Sequence, residues 1–245
     1  MRRRYAAQSS EMSLCGKVAL VTGASGDIGR AIAFALLEAK SEVFMLARNI
    51  SGVSVPPSSE GLQECCRYLA ADLTDAGAVA RAAEEIFQRG RLDILVLSSG
   101  IYARSVDPDL LAQQMAANVI GPYALLRRVL PLLTDAHGQV VFINSSQGLK
   151  ASAEAGQFAA TQHAMKALAD GLRDEVNAKG VRIVSIYLGR TATSRQRAIF
   201  AAERRPYTPE LLIQPNDVAS VVCFMLQLAP TSEITDISVR PMRKT

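Results

Sequence analysis

The sequence has 245 residues, 49% hydrophobic, 20% charged and 5% aromatic, with 16 glycines and 10 prolines scattered along it. Such a chain can bury a substantial core and is neither disordered, collagenous nor of low complexity. The net charge is +4 from 27 basic and 23 acidic residues, three of the positive charges sit at Arg2, Arg3 and Arg4, and the near-neutral remainder lacks the basic face of a nucleic-acid binder.

Residues 1–15 read as a polar arm. The arginines resemble the start of a signal peptide, but Ala6-Ala7-Gln8-Ser9-Ser10-Glu11 is too polar to continue one. No apolar run approaches the ~18 residues that span a bilayer, so a cytoplasmic protein with no membrane partner is expected. The apolar run 17–22 predicts a buried strand ending at glycines, and 28–39 a helix. Strand 42–47, a Ser/Gly/Pro-rich loop over 49–61, strand 68–71 and helix 75–88 follow. Then come strand 92–97, a long helix over 108–133, strand 139–144, helix 156–178 and strand 181–187. A polar, arginine-bearing stretch leads to helix 215–228 and a closing strand over 233–239. This alternation predicts one α/β domain over 16–245, a doubly wound, mostly parallel seven-stranded sheet flanked by helices. Cys15, Cys65, Cys66 and Cys223 show no Cys-x-x-Cys spacing, and His137 and His163 are the only histidines. Free thiols and no metal site are expected.

Between the first strand and its helix lies Thr22-Gly23-Ala24-Ser25-Gly26-Asp27-Ile28-Gly29-Arg30. Glycines in that turn let a backbone approach a pyrophosphate, whose charge then sits at a helix N-terminus. The pattern Thr-Gly-x-x-x-Gly-x-Gly resembles the short-chain dehydrogenase/reductase family, and the resemblance covers roughly residues 15–240. It implies a Rossmann fold and a nicotinamide dinucleotide held by Gly23, Ser25, Asp27, Ile28 and Gly29. Asp27 stands where relatives have the middle glycine; aspartate tolerates turn conformations, so binding is retuned rather than lost. At the end of the second strand Arg48 suits a ribose 2′-phosphate, which favours NADP(H) over NAD(H). Asp72 and Leu73 match the adenine-contacting position. Ser98-Ser99-Gly100 stands where relatives carry Asn-Ala-Gly, so Ser98 and Gly100 retain the backbone approach.

The family's chemistry implies a serine that bonds the substrate oxygen, a tyrosine that moves its proton, a lysine that lowers the tyrosine pKa, and an asparagine that supports a relay water. Asn118 and Ser145 match the asparagine and the serine. Thirteen residues beyond Ser145, the spacing common in relatives, stands Phe158, and the lysine position is Gln162. A phenyl ring has no proton to give, and a neutral amide cannot depress a phenol's pKa. Such a loss costs about 10²–10⁴ in rate, while Gln162 keeps hydrogen-bonding capacity toward ribose hydroxyls. Tyr102 and Tyr187, at the carboxyl edge of the sheet, are expected as cleft walls, with a substitute acid role as the alternative. His163 should point away, about 100° around the helix from Gln162, and Lys166 should lie a turn too deep.

After the sixth strand, Gly189, Thr191 and Thr193 match residues that hold the nicotinamide, with Leu188 replacing a proline. Residues 190–212 occupy the position of the family's substrate lid. Its Arg190, Arg195, Arg197, Arg204 and Arg205 read as a solvated helix face, or as attraction for an anionic substrate or a phosphopantetheine-bearing carrier protein. The resemblance also implies a homodimer or homotetramer through the helices bearing Asn118 and Phe158. The function expected is NADP(H)-dependent oxidoreduction of a small molecule needing little proton delivery to oxygen: an imine or iminium, or an activated carbonyl or alkene. A non-redox catalyst of cyclisation, dehydration or rearrangement, and a cofactor-binding pseudoenzyme, are the alternatives.

Overall fold

The computed structural model describes residues 13–51, 53 and 61–243. Most of the expected polar arm and most of the 49–61 loop lie outside the described residues. Seven strands alternate with helices: β1 (Val18–Thr22), α1 (Asp27–Glu38), β2 (Glu42–Ala47), β3 (Cys66–Ala70), α2 (Ala76–Arg89) and β4 (Ile94–Leu97). The second half continues with α3 (Pro108–Met115), α4 (Gly121–Asp135), β5 (Gln139–Ser145), α5 (Gly156–Val176), β6 (Arg182–Leu188), α6 (Ser194–Ala202), α7 (Pro215–Leu226) and β7 (Asp236–Val239).

The strands form one sheet in the order β3-β2-β1-β4-β5-β6-β7. Every pairing is parallel, for instance Val21↔Met45, Val21↔Val96 and Val141↔Val184, so the sheet is wholly rather than mostly parallel. Alternate residues of each strand face opposite sides. Leu20, Leu95 and Phe142 pack against Ile86 of α2, Leu125 and Val129 of α4 and Leu172 of α5. Val21, Val96 and Val141 pack against Ile32 and Leu36 of α1 and Val222 of α7. Both faces are dry, which is why the strands are apolar runs rather than alternating ones.

Several boundaries differ from expectation. β3 starts two residues early because Cys66 pairs with Val43. β4 starts at Ile94, because the Asp93 carboxylate is drawn to the Val18 N–H (2.9 Å) and to Arg91. The helix expected over 108–133 is interrupted by a π turn at Ala116–Ile120. Gly121 lies against the backbone of Leu73, where a Cβ would sit 2.0 Å from the Leu73 carbonyl oxygen. The wide turn also carries Asn118 inward to a buried position; such single π turns often mark functional sites.

β1 and β4 are sheet neighbours whose outgoing connections run to opposite edges. The crevice beyond their carboxyl ends is where open α/β sheets bind ligands.

Candidate functional site

Thr22, the last residue of β1, ties the two sides of this crevice together. Its hydroxyl accepts from the N–H groups of Ser98 (3.0 Å) and Ser99 (3.2 Å), and lies 3.3 Å from the Val96 carbonyl. Gly23 follows at φ +66°, and a Cβ there would meet the Ser98 carbonyl oxygen at 2.8 Å. Only a bare backbone passes here. The N-terminus of α1 then opens at Gly26 with no side-chain cap, whereas α2 and α3 are capped by Asp75 and Asp107. The first-turn N–H groups of α1 are therefore free of side-chain acceptors, as a phosphate cradle requires. A dinucleotide fits these residues.

Two hollows meet over this loop. One, of about 480 Å³, is lined by Gly23, Ser25, Arg48, Asp72, Leu73, Ser98 and Gly100 among others. Asp72 Oδ1 accepts the Thr74 N–H (2.9 Å) and hydroxyl (2.8 Å). The Thr74 N–H first, then its hydroxyl and the nearby Arg48, outweigh burial and hold the Asp72 carboxyl below the ordinary aspartate value. The other hollow, of about 530 Å³, collects Gly23, Asp27, Ile28, Gly29, Ser98, Gly100, Asn118, Ser145, Phe158, Gln162, Gly189, Thr191 and Thr193. Every site residue expected from the sequence thus lines one hollow or both.

Inside the larger hollow, Ser145 closes β5. Its backbone N–H donates to Asn144 Oδ1 (2.7 Å), and its Oγ accepts the Gln147 N–H (3.2 Å), leaving the hydroxyl proton for a ligand. Phe158, on the first turn of α5, meets Tyr102 edge to face at 5.0 Å between ring centroids. Gln162, one turn further, donates to Thr161 Oγ1 (3.1 Å). The Asn118 amide bonds the Ile101 N–H (2.7 Å) and carbonyl (2.9 Å) and reaches Thr161 Oγ1 (3.1 Å). Those bonds fix the loop after β4. His163 Nδ1 pairs with the Ala159 carbonyl (2.9 Å) and Lys166 with Asp170 (2.6 Å), and neither lines the hollows.

Two expectations need correction. Tyr187 is no cleft wall: it is 1% exposed inside the sheet and lines neither hollow. Burial, reinforced by the Asp236 carboxylate, pushes its pKa up to about 12. Asp27 needs no turn tolerance, because it opens α1 in helical backbone. The arginines of 190–212 are largely exposed, as expected of a solvated face, with Arg190 half-buried, and most also have specific partners. Arg190 and Arg205 lie over the Phe200 ring at 4.9 and 5.0 Å, Arg197 lies over Tyr207 at 5.1 Å, and Arg195 reaches back into the crevice. Glu203, just beyond α6, accepts from Arg104, Arg190 and Arg205. Burial opposes its charge, but the bonds from Arg104 and Arg205 and the charge of Arg190 hold it below the ordinary glutamate value.

Tyr102 lines the larger hollow as the expected wall, whereas the Arg104–Glu203 pair and the target of Arg195 were not legible, since those partners are remote in sequence. Among the described residues no three His, Cys, Asp or Glu side chains gather as a metal site, and no helix is long and apolar enough to cross a membrane.

The family model for short chain dehydrogenases matches residues 17–204. The chain belongs to the short-chain dehydrogenase family. Among curated relatives of this family, an uncharacterized NAD-dependent oxidoreductase of Mycobacterium tuberculosis is 30% identical over 247 aligned positions, covering 87% of this chain and 90% of that protein. A metagenomic short-chain oxidoreductase solved with NADP is 27% identical, with a TM-score of 0.77 over 95% of this chain and 100% of that one. A tyrosine-to-phenylalanine variant of ElxO with NADPH bound superposes with a TM-score of 0.81 at 23% identity, covering 91% of this chain and 96% of its own. At that identity the last likeness speaks to fold alone.

Proposed function

We propose that this chain is an NADP(H)-dependent oxidoreductase acting on a small molecule that accepts hydride with little proton delivery to oxygen: an imine or iminium, or an activated carbonyl or alkene. The observation that carries this reading is the pairing of a glycine-lined dinucleotide crevice with Phe158 and Gln162 beside Ser145. Solved relatives with NADP support the cofactor class. The preference for NADP(H) rests on Arg48 at the wall of the smaller hollow, although the mycobacterial relative carries an NAD-dependent name.

The bound nicotinamide would supply the hydride. Gly23, Ser25, Ile28 and Gly29 would cradle the phosphates, Asp72 and Leu73 the adenine, Arg48 the 2′-phosphate, and Gln162, Gly189, Thr191 and Thr193 the nicotinamide riboside. Ser145 then orients the acceptor atom through its hydroxyl proton. Phe158 and Tyr102 wall off water. Neither Phe158 nor Gln162 can hold a transferable proton, so a ketone, which must gain one as hydride arrives, is poorly served. An iminium already carries the charge that hydride neutralises. Residues 190–212 serve as the lid. The helical segments bearing Asn118 and Phe158 would pair in a homodimer or homotetramer, as the family resemblance implies, and light scattering showing a monomer at micromolar concentration would refute that.

Titration with NADPH and NADH, followed by imine, quinone, enone and ketone panels monitored by NADPH absorbance, tests the proposal. Turnover of imines or activated acceptors with ketones slower by about 10² or more is expected. NADPH oxidation by simple ketones at ordinary enzyme rates overturns it. Substrate conversion without NADPH consumption would support the non-redox alternative.

A further inference from the structure

The two hollows share six lining residues: Gly23, Gly26, Ser98, Ser99, Gly100 and Arg195. Five are backbone-rich walls of the phosphate loop and of the loop after β4. Arg195 is the sixth and, among the described residues, the only charged side chain common to both. It stands second in α6, and its guanidinium NH2 donates to the Gly100 carbonyl at 2.5 Å, bridging 95 residues of sequence. Residues 190–212 thus form a strap that crosses the waist of the crevice at Arg195. Its partner there is a neutral carbonyl.

The neighbouring residue explains how the strap is held. Asp27 Oδ2 accepts both the backbone N–H (2.8 Å) and the hydroxyl (2.9 Å) of Ser194, and Asp27 Oδ1 takes Arg30 NH2 at 3.2 Å. An aspartate in place of glycine adds a negative charge where a phosphate must arrive, which by itself opposes binding. Here that carboxylate is occupied by the lid, and the next lid residue returns a positive charge to the loop. Arg195 is exposed to solvent along its length, while the crevice walls around its guanidinium lower its pKa below the ordinary arginine value, with Asp27 opposing. A guanidinium stays charged under such a shift and gains most from an anionic partner.

We propose that Arg195 is a pyrophosphate-binding residue carried by the lid, and that the Asp27–Ser194 contact is the latch that positions it. The proposal rests on the dinucleotide reading above. A ligand with adenosine in the smaller hollow and its nicotinamide riboside in the larger one has its pyrophosphate at the waist. There Arg195 exchanges the Gly100 carbonyl for phosphate oxygens. Arg195 thus acts on what NADPH and NADH have in common, whereas Arg48 acts on what distinguishes them.

Calorimetric titration of the wild type, Arg195→Met, Arg195→Lys, Asp27→Asn and the Asp27→Asn/Arg195→Met double variant tests this. The ligands are NADPH, NADH and 2′-AMP, which lacks a pyrophosphate; 2′-AMP is read by displacement of NADPH. Arg195→Met should weaken NADPH and NADH by the same factor, about 10- to 100-fold, and leave 2′-AMP unchanged. Arg195→Lys should recover part of the loss. Asp27→Asn should weaken both dinucleotides less, and add little once Arg195 is gone, because the latch works through the strap. Ligand-free melting temperatures of wild type and Arg195→Met should agree. Unchanged or tighter dinucleotide binding by Arg195→Met overturns the proposal, the latter marking Arg195 as a plug. An equal loss on 2′-AMP also overturns it. If the wild type binds neither dinucleotide, the oxidoreductase reading fails first and takes this one with it.

Discussion

The rings of Tyr102 and Phe158 meet edge to face at 5.0 Å, and the Tyr102 hydroxyl accepts a 2.7 Å hydrogen bond from Arg104 Nε. Arg104 is itself tied to Glu203 and Glu154. Phe158 therefore has a firm neighbour, and the one phenol lining the larger hollow among the described residues is anchored through Arg104 to Glu203. Restoring Phe158→Tyr together with Gln162→Lys should return a proton donor and the ammonium that tunes it. Ketone reduction should rise by about 10²–10⁴ over the wild type, with either single change giving much less, because a phenol without its cation stays near its ordinary pKa. Steady-state rates on a ketone panel check this.

The same contact makes a separate prediction for Tyr102. As a wall it contributes ring area, not a proton, so Tyr102→Phe should change kcat/KM on an imine or activated acceptor by less than about threefold, a small fraction of what a general acid supplies. A fall of about 10² or more would assign the proton to Tyr102 and displace the proton-poor reading.

Arg48 follows β2 directly and lines the hollow that also holds Asp72. Replacing it with alanine removes charge-assisted bonds to a 2′-phosphate but nothing that NADH uses. Binding of NADPH should weaken by about 10- to 100-fold while NADH changes little. Arg48→Asp should invert the preference outright. Equal losses for both dinucleotides would show that Arg48 is not the discriminating residue.

What was legible in the sequence was local. The strand–loop–helix around Thr22-Gly23, the serine ending β5 and the residues at Phe158 and Gln162 lie in short segments that match the family's pattern, so the resemblance picks them out. The strand cores were equally plain, because a sheet buried on both faces needs uninterrupted apolar runs. What escaped was long-range. Asp27 meets Ser194 across 167 residues and Arg195 meets Gly100 across 95, and nothing in either segment names its partner. Tyr187 looked like a cleft residue from its place at a strand end, yet strand alternation turns its side chain to the face opposite Ile186 and Leu188, where it is buried. The π turn that carries Asn118 inward hides inside a good helical pattern, and the packing of Gly121 against Leu73 beside it joins segments remote in sequence.

That approach is itself testable. Gly121→Ala would put a methyl 2.0 Å from the Leu73 carbonyl oxygen and 2.6 Å from its carbon. Both are backbone atoms and cannot rotate aside. Either α4 or the 71–74 loop must shift, at a cost of about 3 kcal/mol, read as a lower urea midpoint. Since Leu73 and Asp72 line the smaller hollow, dinucleotide affinity should fall too, whereas a remote helical glycine such as Gly171, with open space around its Cβ position, should tolerate alanine.

Asp93 gives the acid response of the fold. Its side chain is 3% exposed, yet it accepts from Val18 N (2.9 Å), from Arg91 Nε and NH2 (both 2.7 Å) and from Lys17 Nζ (3.2 Å). Its own backbone bonds β1 and the start of β5. Burial works to raise the carboxyl pKa, but the Arg91 fork, the Val18 N–H and Lys17 together hold it below the ordinary aspartate value. A group whose folded pKa is depressed binds its proton more readily when unfolded, so stability falls as pH drops. The contribution is complete above the unfolded aspartate value of about 3.9 and vanishes as pH passes below the folded one. Asp93→Asn should cost about 2–4 kcal/mol at pH 7 by leaving Arg91 and the Val18 N–H poorly matched. It should also flatten the decline of urea midpoints between about pH 5 and pH 3. A variant that loses stability at neutral pH while keeping the wild-type acid slope would show that other carboxylates, and not Asp93, set the response.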